Sequence, residues 1–492
     1  MSRIGNLVQE TTTSTGTGNL TVTAANGKRT FNTEFGTGAT ADVFYYFISH
    51  QSAAEWEIGT GHLSAATTFV RDTVIASSNA DALVNFSSGT KDVVNDLPAI
   101  AQAMGFNTGT ASITVSHSDF GKIVELTGST ARTFTFTAAA TLGANWWCIV
   151  KNNSTAELTL DGNGSELDGL ANYISYPGEV RLIQCTGSVL NSTVLHGFSY
   201  TKTASYTFTK PPGYLSFFVE LWGAGGSGGS SSSSTTGGGG GGGGAYMQGV
   251  IIASALTATE SVTVGAGGGS KTGNNNGSAG GNTTFDLLTA YGGGGGDNLD
   301  SGGGGGGALS AGALGGPINS VTPMTVKTLN ALISGSTQYS GAGGKPYESW
   351  GQVYDATGAP AEDYYASKDA TYGGGAGGMS NTAAGIDGHV TSGYGSVFGG
   401  GGGGAGGNAT VAGGAGGGSV WGGAGGGGGS GDSAPGPGAG GNSIYGGNGG
   451  TGAYDNNTAT TGSVPGGGGG GCETGGNSGA GGAGQVRITG FM

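Results

Sequence analysis

The chain reads as mainly β: two small β-rich domains over 1–105 and 106–200, then a β-base at 201–492 that carries a bundle of polyglycine II-type strands. Three features of the sequence lead there. Of the 116 glycines, 21 precede Gly223 and 95 lie from Gly223 on, many in unbroken runs. Strand-like segments bracket that tract. The first 200 residues alternate short apolar segments with turn residues.

The first part is read as strands at Phe31–Phe35, Val43–Ser49, Trp56–Ile58 and Thr67–Val74. Asn26-Gly27 and Ile58-Gly59-Thr60-Gly61 supply turns. Asp96–Met104, with Asp96 as a cap before Pro98, predicts a short helix. In the second part Lys122–Leu126, Thr133–Thr137, Trp146–Lys151, Glu157–Leu160 and Val180–Cys185 come at the spacing of a small sandwich. Trp146 and Trp147 are neighbours in a strand, so they point to opposite faces, one to the core and one to a surface or interface.

The third part opens with Tyr206–Thr209, a Pro211-Pro212-Gly213 turn and Leu215–Trp222. Tyr246–Ile252, Ser261–Val264, Thr283–Leu288 and Gln485–Phe491 complete a base sheet. From that base rise the runs Gly237–Gly244, Gly292–Gly296, Gly302–Gly307, Gly399–Gly404 and Gly466–Gly471. An ordered glycine forfeits roughly 0.5–1 kcal/mol more backbone freedom than alanine. Order must therefore recover that loss through close backbone approach. Collagen is excluded, since it needs glycine at every third place and abundant proline, and this chain has 11 prolines. A flexible glycine-serine linker is the competing reading. Aromatics recur between the runs, at Tyr246, Tyr291, Tyr372, Tyr394–Phe398, Trp421, Tyr445 and Tyr454, and favour order. Threefold polyglycine strands make no internal hydrogen bonds, so their N–H and C=O groups pair between strands.

Composition excludes several function classes. Net charge is −14, which does not suit nucleic acid or an anionic membrane. No apolar run approaches a membrane span, and the first residues lack a signal-peptide core, so synthesis in a cytoplasm is expected. Cys148, Cys185 and Cys472 have no zinc spacing and read as thiols. The five histidines are scattered, so neither a metal nor a cofactor is expected. Glu362-Asp363, Asp355 and Asp369 read as solvated loop charges rather than a hydrolytic pair. Ile386-Asp387-Gly388-His389 comes with no serine nucleophile, and the G-x-S-x-G match at 225–229 is compositional chance. Asp161-Gly162-Asn163-Gly164-Ser165 starts like a calcium loop, but Glu166 stands where glycine is required, leaving a tight turn. No glycine run is followed by Gly-Lys-Ser/Thr, so none is a phosphate loop. No catalytic residue is assigned, and the chain is not expected to be an enzyme.

Residues 31–97 carry Trp56-Glu57-Ile58-Gly59-Thr60-Gly61, then Arg71-Asp72-Thr73-Val74 and Val84-Asn85-Phe86. This pattern resembles a module common in bacteriophage tail and fibre proteins. The stretch 206–226, YTFTKPPGYLSFFVELWGAGG, is similar to the opening of phage glycine-rich tail domains. The runs with their intervening loops resemble the polyglycine sandwich of the tip adhesins of T-even-type phages, although here two β-rich domains precede the glycine part. The resemblance implies a virion tail-fibre protein, a homotrimer, that contacts other virion proteins and a host surface receptor, either an outer-membrane protein or a polysaccharide. Residues 1–105 would attach to the particle, 106–200 would form a shaft or shoulder, and 201–492 the distal tip. A purely structural fibre or head spike is the alternative, and an ice-binding polyglycine protein is disfavoured by the irregular loops.

On this reading the glycine bundle is scaffold and the segments between runs are recognition loops. The largest insert, 317–372, holds Tyr339, Tyr347, Trp350, Tyr354, Tyr364, Tyr365 and Tyr372. Tyrosine and tryptophan offer rigid contact area with a polar handle. Those seven, with Tyr394, Trp421 and Tyr454, are the candidate receptor-binding residues. The insert is itself about −2, with three lysines and five acids, so short-range contacts are expected to carry binding.

Overall fold

The computed structural model describes residues 4–38, 42–98, 105–232, 236–299, 301–308, 310–315, 373–375, 377–378, 392–431, 436–473 and 475–492. These residues are nearly all β. They form two compact units: one holds residues up to Ser175 with Glu179–Leu195, the other Tyr176–Gly178 with His196–Met492.

The first unit begins with a closed six-stranded barrel. Its strands are β1 (Gln9–Thr12), β2 (Leu20–Ala24), β3 (Phe44–His50), β4 (Trp56–Ala65), β5 (Thr68–Ser77) and β6 (Lys91–Val94), in the order β1-β2-β5-β4-β3-β6. Antiparallel pairing of β6 with β1 closes the circle. Phe31–Phe35, expected as a strand, is a single-turn helix, α1. Thr30 caps it by accepting from the Thr33 N–H, and Phe31 and Phe35, four residues apart, both enter the core. A strand would have put Thr33 inside with them, and a helix does not. Ile58–Gly61, expected as a turn, lies inside β4. The two glycines are there for space: a Cβ on Gly59 would strike Thr73 O and the Tyr46 ring, and one on Gly61 would strike Val70 O. Asp96–Pro98 are not helical, and 99–104 lie outside the described residues.

The barrel also explains why the motif residues travel together. Glu57 is fully buried and accepts from Tyr46 Oη (2.7 Å), Arg71 Nη1 (3.1 Å) and the Val84 N–H (2.7 Å). Arg71 in turn donates to the carbonyls of Val84, Gly16 and Gly18, and its guanidinium lies 5.6 Å from the Phe86 ring centroid. One buried ion pair thus ties together five segments: 16–18, β3, β4, β5 and 84–86. Burial and the neighbouring Glu57 carboxylate push the Tyr46 hydroxyl far above its ordinary pKa, so it stays a donor.

The rest of the first unit is a short two-sided coil. Strands β7 (Phe106–Gly109), β8 (Ile113–Val115), β9 (Ile123–Leu126), β10 (Arg132–Phe136), β11 (Ala144–Asn152) and β12 (Leu158–Asp161) alternate between two sheets. Within each sheet they run parallel, β7-β9-β11 in one and β8-β10-β12 in the other. A one-turn helix, α2 (Ala139–Leu142), precedes β11. Antiparallel β13 (Asn172–Ser175), β14 (Val180–Thr186) and β15 (Leu190–His196) finish the two sheets. Trp146 is core, against Phe136, whereas Trp147 is half-buried against Phe120 on the outer face. Cys148, Cys185 and Cys472 are buried free thiols.

The second unit starts from two four-stranded sheets. One contains β16 (Ser199–Lys202), β18 (Ser216–Trp222), β19 (Tyr246–Ile252) and β23 (Gln485–Phe491), in the order β16-β23-β18-β19. The other is β17 (Tyr206–Thr209), β20 (Thr259–Thr263), β21 (Thr283–Phe285) and β22 (Leu288–Ala290). An aromatic cluster of Tyr176, Phe198, Phe208, Tyr214, Phe217 and Phe285 packs around them.

Directly after Trp222 the chain leaves the sheet as extended backbone without side chains, and the glycine lattice begins. Its geometry is clearest at 237–245. The N–H groups of 237, 240 and 243 donate to carbonyls of 407, 404 and 401. Those of 238, 241 and 244 donate to 472, 469 and 466, and those of 239, 242 and 245 to 297, 294 and 291. Its carbonyls accept from three further strands, around 223–229, 303–306 and 423–429. Six neighbours therefore surround this strand, and its partners rotate every third residue, as a threefold extended helix requires. Five neighbours run antiparallel to it and one, 303–306, parallel. In contrast to collagen, no position of this central run has room. A Cβ at Gly237 would meet Gly429, at Gly238 Gly229, at Gly239 Ser301, and the cycle repeats along the strand.

Two outcomes follow. Glu57→Gln should destabilise the barrel by about 3–5 kcal/mol, because it leaves the Arg71 charge buried without a counter-ion; urea unfolding followed by Trp56 fluorescence measures it. Gly241→Val should cost at least about 3 kcal/mol, since the clash is with Gly226 and Ser227 backbone that cannot rotate away. Hydrogen exchange over 223–484 should become fast in that variant. Gly269→Ala, where an added Cβ meets nothing within 4 Å, should exchange like the parent.

Candidate functional site

The lattice has two ends of opposite chemistry. At the β-sheet end the chain repeats a short phrase: Ser396-Val397-Phe398-Gly399, Ser419-Val420-Trp421-Gly422 and Ser443-Ile444-Tyr445-Gly446. In each the serine sits in an isolated bridge with the next copy, Ser396 to Ser419 and Ser419 to Ser443. Ser396 and Ser443 Oγ accept the N–H of the glycine three residues on, at 2.9 Å. Ser419 and Ser443 Oγ also donate to the carbonyls of Gly399 and Gly422 in the previous copy. The turns thus stack in register and their rings form a ladder. Phe398 and Trp421 are nearly coplanar in orientation, 6° apart, and Trp421 and Tyr445 stack with centroids 4.1 Å apart. Tyr246 stacks on Trp421 from the sheet side and Trp222 leans on Tyr246. The Trp222 indole N–H donates to Trp421 O.

Polar groups brace the same face. Tyr246 Oη donates to Glu220 Oε1 at 2.9 Å, and Arg487 grips Glu220 through Nε and Nη2 while lying over the Trp222 ring. Burial and the carboxylate hold the Tyr246 hydroxyl protonated far above neutral pH. The hydrogen bond to Glu220 raises the Arg487 guanidinium still further above its ordinary value.

At the far end the strands turn through residues with short polar side chains. Bridges tie Ser230 to Asn275 and Cys472, Thr236 to Asn408, Thr272 to Asn477, and Ser430 to Tyr454. Asn298 bonds Asn274 and Asn276, and the Asp455 N–H donates to Glu473 Oε2. These contacts gather turns from 230 to 477 at one end of the lattice, where Thr272, Asn274, Asn275, Asn276, Asp455 and Asn477 are exposed while Ser230, Ser430 and Glu473 are buried.

Three of the ten candidate residues are described, and each lies in a different place. Tyr339, Tyr347, Trp350, Tyr354, Tyr364, Tyr365 and Tyr372 lie outside the described residues. Trp421 belongs to the ladder, half-buried between rings. Tyr454 stands at the opposite, polar end, half-buried, and Tyr394 lies in a lattice strand, its carbonyl accepting from Gly402. Trp421 and Tyr454 are thus not one site. The ladder residues Ser396, Ser419 and Ser443 were overlooked; the threefold recurrence of Ser-aliphatic-aromatic-Gly-Gly, 23 and 24 residues apart, is the signal that finds them. Among the described residues no cluster of three metal-binding side chains occurs. Glu362, Asp363, Asp355, Asp369 and His389 lie outside the described residues.

A family model described as a glycine-rich domain matches residues 201–422, from just ahead of β17 to the second rung of the ladder. No curated protein matches the chain. In structure the glycine-rich domain's lattice continues past the matched segment, because strands 423–429 and 466–472 are direct neighbours of 237–245.

Trp421→Ala should unstack Tyr246 from Tyr445 and cost about 3 kcal/mol, the low end for tryptophan truncation because the ring is only half-buried. Near-UV circular dichroism and a denaturant titration read this, and Trp421→Phe should retain most of both.

Proposed function

We propose that this chain is a phage virion fibre protein whose glycine lattice displays host-recognition loops. The observation that carries the reading is the asymmetry of the lattice: repeated, mutually stacked turns at the sheet end, and non-repeating polar turns gathered at the other. A surface whose underlying backbone needs no side chains can vary its turns without disturbing the scaffold. The resemblance of 31–97 and 206–226 to phage tail modules supplies the setting: attachment to the particle by 1–105, a shoulder at 106–200, and a tip at 201–492. Partners on this reading are other virion proteins and a host receptor, protein or polysaccharide, with the fibre a homotrimer. It binds and does not catalyse.

The receptor face is the far end together with the insert 317–372, with Trp350, Tyr365 and Tyr454 as aromatic anchors. Hot spots of this kind contribute about 2 kcal/mol or more each. Purified full-length protein should adsorb to host cells, with little dependence on monovalent salt, since neither the chain at −14 nor the insert favours charge pairing with a bacterial surface. Trp350→Ala, Tyr365→Ala or Tyr454→Ala should weaken adsorption at least tenfold with an unchanged melting temperature. Parent-like adsorption by all three variants would move the receptor site to other loops, around Tyr394 and Trp421, and no adsorption by the parent would point to a purely structural fibre.

A further inference from the structure

The first unit carries a groove of its own. The start of β11 is irregular. Its register against β14 shifts between Ala144 and Trp147, and Asn145 takes a left-handed φ of 68°. Asparagine tolerates this conformation, and bulges recur beside binding sites, where they re-aim side chains. Here the bulge opens a groove of about 430 Å³, within the range of small-ligand sites. Asn145, Trp146, Trp147, Gln184, Thr186 and Asn191 line it.

The lining defines the ligand. Trp147 presents a half-buried indole held edge-to-face by Phe120 at 5.8 Å. The side-chain amides of Asn145, Gln184 and Asn191 make no hydrogen bond to the described residues, so both their donors and acceptors are available. Trp146, 1% exposed, points into the core against Phe136, so the groove's aromatic face is that of Trp147. No charged side chain lines the groove among the described residues. An aromatic face, amides that donate and accept, and no charge fit a ring with apolar C–H faces and vicinal hydroxyls.

We propose that this groove binds a neutral pyranose: the sugar stacks on Trp147 and its hydroxyls bond the three amides. The site is independent of the reading of the tip, and its test uses soluble sugars without cells. Full-length protein is titrated with the methyl glycosides of glucose, galactose, mannose and N-acetylglucosamine, and with methyl glucuronide as an anionic control, by saturation-transfer NMR and calorimetry. At least one neutral glycoside should bind saturably, and more tightly than the glucuronide. Trp147→Ala and Gln184→Ala should each weaken binding at least tenfold, and Trp147→Tyr should restore most of it. Should Trp147→Ala fail to fold by circular dichroism, Gln184→Ala and Asn191→Ala, both at exposed positions, carry the test. Absence of binding by every neutral glycoside overturns the assignment, as does binding by the Trp147 and Gln184 variants equal to the parent. A parent that binds no glycoside but loses oligomeric mass on Trp147→Ala would reassign the face to contact between copies of the chain.

Discussion

Everything distinctive in the second unit depends on one contact: a backbone carbonyl of one strand resting on the Cα of another, with no room for a Cβ between them. That contact sets the composition. It turns the usual liability of glycine into a requirement, because the conformational entropy surrendered on ordering is offset by hydrogen bonds in three directions and by dense backbone packing. The run 237–244 shows the limiting case, with six neighbours and a forbidden Cβ at every glycine. At a few buried positions elsewhere the rule relaxes. Ala224, Ser227, Ala405 and Ala424 occupy the lattice with small side chains, and Ser227 Oγ makes use of its place by accepting the Ser278 N–H.

The lattice has no sequence-specific interior, so register must come from its ends. A polyglycine strand slipped by three residues meets identical partners. The stacked rings of Phe398, Trp421 and Tyr445, each fixed by a serine that bonds the preceding copy, break that degeneracy. Trp222 and Tyr246, paired across β18 and β19, fasten the ladder to a conventional sheet. The barrel solves an analogous problem with charge: Glu57 and Arg71 tie the loops at Gly16, Gly18 and Val84 to β3, β4 and β5. Both devices place specific chemistry where generic pairing leaves alternatives.

How much of this was legible in the sequence differs by region. The base strands Tyr206–Thr209, Tyr246–Ile252 and Gln485–Phe491 were readable residue for residue, since alternation and turn residues agree there. Polyglycine order was readable from the recurring aromatics. In the barrel, Phe31–Phe35 was misread because F-N-T-E-F satisfies a short strand and one helical turn equally, and the Thr30 cap decides it. Gly59 and Gly61 were misread because glycine marks both turns and close approaches, and only the neighbouring Tyr46 and Phe69 distinguish them. The parallel winding of β7 to β12 leaves no local signature, as period-two alternation is the same in either direction. Trp421 and Tyr454 appeared equivalent as aromatics between runs. Strand direction, which a glycine run does not encode, sends them to opposite ends.

The wiring of the central strand bears on how the molecule comes into being. Residues 237–245 are bonded to segments near 300, 400, 425 and 470, and β18 is completed on one side by β23, more than 260 residues later. Almost none of these partners exist when the central strand leaves the ribosome. The barrel, whose contacts all fall within the first hundred residues, can form during synthesis, whereas the lattice must wait for nearly the whole chain. During that interval the glycine tract is a long solvated coil with few apolar residues to aggregate and few charges to repel. Maturation of the second unit is therefore a late, concerted event, closed when β23 slides in beside β18.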